Sequence, residues 1–306
     1  MSSTSSAAPT LQDIVRKTTE FLSAKGVASA RLDAELLMAH ALGWSRLQVF
    51  TRFDYPLSED ELERCRQLLR RRASGESVAA IIGKKGFYHH DWSVGPGVLV
   101  PRPETEMLVD LALDFAQAHE SMGSAETHFR FADLGCGTGC IGLSIADDLL
   151  KRGRRVRAEL WDLSPEALKY AEINRDQLLR PEHREFVRIH LGRVETDFVS
   201  GTGEAEFDLI VANPPYIDER DHRVEEGVKN HEPHSALFAD ENGMGCLRRW
   251  STTTYPRLAS GGLMIFEIGD GQGASIKAHF EELGLSEVKV HRDLAGLERV
   301  VVGRKS

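Results

Sequence analysis

Two short runs of this 306-residue chain bring together residue types that do chemistry. The first is Asp133-Leu134-Gly135-Cys136-Gly137-Thr138-Gly139, which follows a strand-like run and opens a helix-like one. Glycines here let the backbone turn sharply and approach a ligand that a Cβ would exclude. Gly137, Gly139 and Gly142 also satisfy G-x-G-x-x-G, and Asp162, ending the next strand-like run, supplies the acid that a dinucleotide site places on its ribose. The glycines alone leave three readings open: a nicotinamide dinucleotide, S-adenosylmethionine, or a tight strand–helix turn holding nothing. Asp133 favours the second. A carboxylate just before the glycines suits the cationic amino group of a methionine-bearing nucleoside and opposes a pyrophosphate, which seeks a positive helix mouth. Asp162-Leu163-Ser164-Pro165-Glu166 also reads as a helix start, with Ser164 as N-cap and Pro165 in the first turn. The two roles of Asp162 are compatible.

The second run, Asn213-Pro214-Pro215-Tyr216, follows the strand-like FDLIVA. Methyl transfer from a sulfonium is an in-line displacement, so the nucleophile must sit within about 3–3.5 Å of the methyl carbon. An amide or aryl-amine nitrogen is a poor nucleophile because its lone pair is delocalised. The Asn213 side-chain oxygen and the Pro214 carbonyl can each accept one N–H of a bound NH2 group, which orients the nitrogen and turns its lone pair toward the donor. Pro214 and Pro215 stiffen the loop, and Tyr216 offers a ring on which a planar amide or base can lie. Alone, N-P-P-Y is equally a rigid turn. Downstream of D-x-G-x-G-x-G and at a strand end it marks an active site, and a dehydrogenase has no use for paired acceptors there. The two runs together imply methyl transfer to an amino or amide nitrogen.

The elements that must position these runs are legible in outline. Leu11, Ile14, Val15, Thr18, Phe21 and Leu22 recur at helical spacing, as do apolar residues of RLDAELLMAHAL, and Ser58 with Glu61 forms a capping box opening a third helix through Arg72. VAAIIG (78–83) and GFYHHDWSV (86–94) read as strands of a hairpin, and Pro96, Pro101 and Pro103 lead into a helix near Glu104. From about residue 128, strand-like runs alternate with helical or loop segments: FRFADLG, RVRAELWD, FVRIHLG, FDLIVANP and GGLMIFEIG, then SEVKVHRD and ERVVVGRK. This βαβα order implies an α/β fold with a parallel, doubly wound sheet, whose ligands bind beyond the carboxyl ends of the strands, in the loops after Asp133, Trp161, Ile189 and Ala212.

Composition narrows the classes further. No apolar run reaches the roughly 20 residues of a membrane span, and MSSTSSAAPT lacks the basic start and apolar stretch of a secretory signal, reading instead as a disordered leader. Four cysteines form no C-x-x-C pair, which argues against a zinc site and a disulfide framework and for a reducing compartment, the cytoplasm or an organelle interior. No metal is expected. The net charge of −9 opposes non-specific binding to a phosphate backbone. The charge is uneven, with 13 Lys+Arg against 10 Asp+Glu in residues 1–90 and 25 against 37 in the rest. Arg64, Arg66, Arg70, Arg71 and Arg72 concentrate the positive charge, as a solvated helix face or a docking surface.

PRPETE (101–106), DLGCGTG (133–139), NPPY (213–216), HEPHSALFAD (231–240), FEIGDGQG (266–273) and RDLAGLERV (292–300) together resemble the release factor glutamine methyltransferase family (HemK/PrmC type), over nearly the whole chain. D-x-G-x-G-x-G is common to many methyltransferases and N-P-P-Y to nucleic-acid amino-methyltransferases; PRPETE behind a helical module is the more specific mark. The resemblance implies a helical release-factor-binding domain (1–75), a hairpin linker (76–100) and a Rossmann-like, seven-stranded methyltransferase domain (101–306). It implies N5-methylation, from S-adenosylmethionine, of the glutamine in the Gly-Gly-Gln loop of class I release factors; the leader favours the cytoplasm over an organelle. Asp133, Gly135, Cys136, Gly137, Thr138, Gly139, Asp162, Val194 and Asn213 would contact the cofactor. Asn213, Pro214, Pro215 and Tyr216 would bind the glutamine amide, with Asn213, Pro214 and Tyr216 catalytic. Where the family has an acid near the adenine this chain has Arg193, which leaves Val194 as the adenine wall and Asp197-Phe198 as a displaced pair; Cys136 replaces the family's threonine. The alternative substrate class is the amino group of adenine or guanine in nucleic acid, with the base flipped onto Tyr216.

Overall fold

The computed structural model describes residues 8–120, 128–203 and 206–306, so the first seven residues of the expected leader lie outside the described residues. Its end is ordered: Thr10 caps the first helix, its hydroxyl accepting the Asp13 N–H at 3.3 Å. The chain divides into two compact units, the first running to Gly83 and including Glu225–His231, the second comprising Lys84–Val224 and Glu232–Ser306.

The first unit holds α1 (Leu11–Ala24), α2 (Ala30–Leu42), α3 (Arg46–Thr51), α4 (Glu59–Ala73) and α5 (Val78–Ile82). Leu11, Leu37, Met38, Val49, Leu57, Leu62 and Ile81 form its core. The capping box at the start of α4 is present: Glu61 N–H donates to Ser58 Oγ at 3.3 Å, and Ser58 N–H donates to Glu61 Oε2 at 2.8 Å. The arginines of α4 are engaged within the unit. Arg64 donates to the Ala41 carbonyl, Arg66 and Arg70 meet Glu63, Arg71 meets Glu76 and Arg72 meets Asp33.

One expectation fails here. Val78–Ile82 is a helical turn and not a strand. Ser77 accepts the Ala80 N–H at 3.2 Å and Gly83, at φ 76°, closes the turn, so local capping outweighs the β-branched composition. The hairpin lies later, with β1 (Lys84–Phe87) and β2 (His90–Ser93) antiparallel across Tyr88-His89.

The second unit begins with that hairpin and then holds α6 (Glu106–Glu120), β3 (Phe129–Leu134), α7 (Cys140–Lys151), β4 (Val156–Asp162), α8 (Pro165–Leu178), β5 (Val187–Leu191), α9 (Val199–Gly201) and β6 (Phe207–Ala212). The short α10 (Glu226–His231) belongs to the first unit, where a Cβ on Gly227 would meet the Gly75 carbonyl at 2.7 Å. Then come α11 (His234–Leu237), α12 (Gly245–Thr254), β7 (Leu258–Glu267), α13 (Gly273–Glu282), β8 (Leu285–Arg292) and β9 (Glu298–Lys305).

Among the described residues, β5-β4-β3-β6-β7-β9-β8 form one seven-stranded sheet. β5 through β7 are mutually parallel, but β9 is antiparallel to both neighbours. The sheet is therefore mixed and not wholly parallel. Only Asp293–Leu297 separate β8 from β9, too few for the dozen or so residues of a parallel crossover. The chain runs outward from β3 to β5 and then returns to β6 on the other side of β3, so the loops after β3 and β6 diverge and leave a crevice. Among the described residues no helix is long and apolar enough to cross a membrane.

Candidate functional site

A cavity of about 450 Å³ opens at that crevice, in the second unit. Loops from four strand ends line it: Gly135–Thr138 after β3, Asp162–Ser164 after β4, Gly192–Glu195 after β5, and Asn213 with Pro215 after β6. Val98, Pro101, Arg102 and Thr105 add one wall; Pro233, Ser235, Cys246, Arg249 and Trp250 add another. Of the residues singled out from the sequence, Gly135, Cys136, Gly137, Thr138, Asp162, Val194, Asn213 and Pro215 are on the lining, whereas Asp133, Gly139, Pro214 and Tyr216 are not.

Backbone geometry makes the glycine loop. Gly135 has φ 67°, and a Cβ there would meet the Trp250 ring at 2.8 Å. Asp133 is fully buried behind the loop, and its Oδ2 accepts the Gly142 N–H at 2.8 Å. Burial pushes its carboxyl up to about 7, against the pull of that hydrogen bond. Asp162 braces the loop from the next strand: Gly137 N–H donates to its Oδ2 and Ser164 N–H to its Oδ1, each at 2.8 Å. Burial raises the Asp162 carboxyl, and those N–H groups pull it back. Ser164 accepts the Ala167 N–H at 3.2 Å, so the helix-start reading of 162–166 holds as well. Asn174 of α8 joins hairpin to loop, donating to the Thr138 carbonyl at 3.0 Å and accepting the Ser93 N–H at 2.8 Å.

The Asn213 corner is made by side chains from distant segments. Asn213 Nδ2 donates to Thr105 Oγ1 at 3.3 Å. The Tyr216 hydroxyl donates to Glu267 Oε1 at 2.9 Å, and the charge of Glu267, with burial, holds that phenol well above its ordinary range. Gln272 Nε2 donates to the Tyr216 carbonyl at 2.9 Å, and Ile217 N–H donates to the Leu237 carbonyl at 3.0 Å. Arg102 pairs with the buried Glu232 at 2.5 Å, and Arg299, itself held by Asp293, acts on both Tyr216 and Glu267. PRPETE, HEPHSALFAD, FEIGDGQG and RDLAGLERV thus meet around N-P-P-Y.

Beside β5, Arg193 donates its backbone N–H to Asp197 Oδ2 at 2.8 Å. Asp197 and Phe198 are off the cavity lining, and Phe198 is in the core against Trp161. The acid that this loop brings to the cavity is Glu195, whose Oε1 accepts the Trp250 indole N–H at 3.1 Å. Sequence reasoning missed Glu195, Trp250, Thr105 and Glu267. The first two carry no local pattern, and the others were part of recognisable motifs whose inward-facing members a sequence does not mark.

Three free cysteines, Cys136, Cys140 and Cys246, line the cavity. Burial lifts Cys140 to about 12, Cys136 well above its ordinary range, and Cys246 less far. Among the described residues no cluster of His, Cys, Asp and Glu could hold a metal. The residues do fit a methionine-bearing nucleoside: a glycine cradle a Cβ would fill, a carboxylate at the β4 end, and a buried Thr138 hydroxyl with no hydrogen-bond partner.

A doubly wound sheet carrying a nucleoside-sized crevice and an N-P-P-Y turn beyond its fourth strand defines a Rossmann-like methyltransferase. Residues 13–83 match the model of the PrmC N-terminal domain and residues 119–230 that of the methyltransferase small domain. The release factor glutamine methyltransferase of Vibrio cholerae is 36% identical over 295 residues, covering 96% of this chain and 96% of that protein. Its namesake in Koribacter versatilis is 35% identical over 298 residues (97% and 99%), and that of Rhodopirellula baltica 34% over 310 (100% and 100%). The chain belongs to the release factor glutamine methyltransferase family.

Proposed function

We propose that this protein transfers a methyl group from S-adenosylmethionine to the side-chain amide nitrogen of the glutamine in the Gly-Gly-Gln loop of class I release factors, in the cytoplasm. The observation that carries this reading is the position of Asn213. Asn213 lines the cavity with the glycine loop while its side-chain NH2 is tied back to Thr105, which leaves the amide oxygen as an acceptor.

S-adenosylmethionine, when bound, supplies an electrophilic methyl group on a positively charged sulfur. The backbone from Gly135 to Gly139, with Cys136, Gly137 and the Thr138 hydroxyl, holds the methionine part; Asp133 stiffens that loop from behind. Asp162 takes the ribose hydroxyls and Val194 walls the adenine. Asn213 Oδ1 and the Pro214 carbonyl accept the two N–H groups of the glutamine amide, Pro215 keeps the turn rigid, and Tyr216, its phenol fixed by Glu267, supports the plane of the amide. The glutamine nitrogen, held by these acceptors, would face the methyl group and would give up one of its two N–H protons to solvent in becoming the N-methyl amide. Acceptors fixed at the nitrogen favour the positive charge that develops there. The helical unit grips the body of the release factor.

Incubating the full chain with methyl-labelled S-adenosylmethionine and an intact release factor tests this. One methyl group on the Gly-Gly-Gln glutamine is expected. Label entering bulk RNA or DNA, with the factor unmodified, overturns it in favour of the nucleic-acid reading.

A further inference from the structure

The two ends of the Asn213 amide have similar shape and opposite hydrogen-bonding sense. A substrate NH2 needs the oxygen end, and nothing within Asn-Pro-Pro-Tyr itself dictates which end faces the cavity. Buried groups behind the tetrapeptide make that choice. Thr105, only 2% exposed, accepts from Asn213 Nδ2 and has one hydroxyl proton of its own to place. Glu267 at the end of β7, also 2% exposed, is among the groups Thr105 acts on. Glu267 Oε1 already accepts the Tyr216 phenol, and its Oε2 has no close partner. The Tyr216 hydroxyl, the Thr105 side chain and Arg299 all favour the charged form of that carboxylate, against the larger opposing effect of burial.

An ionised carboxylate only accepts. With Glu267 ionised, its unpartnered Oε2 takes the Thr105 proton, the Thr105 oxygen is left as an acceptor, and the Asn213 group that meets it is the NH2. Were the chain of bonds reversed, Asn213 would present N–H groups to the N–H groups of its substrate.

We propose that Thr105 and Glu267 are positioning residues that set the orientation of the Asn213 amide, with Glu267 as the accepting terminus and Thr105 as the relay. This rests on the function proposed above, and it assigns PRPETE a part in the reaction through its threonine.

The test uses full-length protein, S-adenosylmethionine and an intact release factor. Thr105→Val keeps the shape and removes both hydrogen bonds; Thr105→Ser restores the hydroxyl. A misoriented acceptor should lower kcat on the order of 10²-fold in Thr105→Val. KM for the factor and the Kd for S-adenosylmethionine should stay within about twofold, because uniform binding is untouched. Thr105→Ser should recover most of the rate. Glu267→Gln, whose amide can donate to Thr105 and free the hydroxyl proton to turn toward Asn213, should lose kcat on the same scale. If Thr105→Val melts well below the wild type, Glu267→Gln decides. Wild-type kcat in the deciding variant, or a serine variant no faster than the valine, overturns the inference. A wild-type protein that leaves the factor unmethylated overturns the proposed function instead.

Discussion

The two corners of the cavity are made rigid by different means. At the glycine loop the backbone itself is the scaffold: Gly135 adopts a conformation that side chains disfavour, and Asp162 fastens the Gly137 and Ser164 N–H groups from one strand away. At the N-P-P-Y turn the backbone is stiff by composition, but the group that matters is a side chain, held by Thr105 from 108 positions earlier. One corner is local and built from N–H groups; the other is assembled from four separated segments. Under the proposed function the cofactor would be met by backbone, and the substrate nitrogen by a side-chain acceptor whose orientation needs external support.

If that contrast is right, truncating a side chain should hurt most at the substrate corner and adding one should hurt most at the loop. Asn213→Ala should lower kcat by roughly 10³-fold, the scale of losing a preorganised polar group at the reacting centre. Calorimetric titration should find cofactor affinity largely kept; unchanged methylation, by mass of the release factor, would remove Asn213 from the reaction. Gly135→Ala, with a Cβ 2.8 Å from the Trp250 ring at φ 67°, should act through the cofactor. A loss of about 1–3 kcal/mol in stability and a clear rise in the Kd for S-adenosylmethionine are expected, and wild-type values for both would show the loop to be pliable.

Asp162→Ala strands two N–H groups and should weaken cofactor binding by about tenfold while kcat at saturation moves little. An unaltered dissociation constant would take Asp162 out of the site. The smallest effect concerns pH. Folded Asp133 keeps its proton up to about pH 7, whereas an ordinary aspartate loses it near 3.8. Its contribution to stability is whole below that lower value and is lost as pH rises toward 7, by at most about 1.4 kcal/mol per pH unit. Urea unfolding at pH 5 and pH 7 should show the wild type losing more stability over that interval than Asp133→Asn does. Equal slopes would mean that the buried carboxyl does not titrate there.

The same contrast governs what the sequence could disclose. The glycine loop was legible because its constraint is written in its own residues, as were the Ser58–Glu61 capping box and the Ser164 cap, where donor and acceptor are three residues apart. Thr105 and Glu267 were not, because their partners are set by tertiary packing. Glu195 was missed for a related reason. The loop after β5 begins with a five-residue turn, Val194–Phe198, that brings Glu195 to the cavity and tucks Asp197 back onto the Arg193 N–H. Counting positions from the strand end could not foresee that turn. Val78–Ile82 misled because side-chain type predicted extended backbone while Ser77 and Gly83 closed a helical turn. The antiparallel β9 could have been foreseen from its short link to β8.

The sulfur-rich wall of the cavity has a consequence for selectivity among nucleophiles. A methyl sulfonium alkylates thiolates more readily than amides, and Cys136, Cys140 and Cys246 all border the space proposed for it. Burial raises all three thiols and so disfavours the thiolate, which leaves that part of the wall soft and uncharged. Under the proposed function, a reactive alkylating agent would sit among these cysteines with little thiolate to meet it.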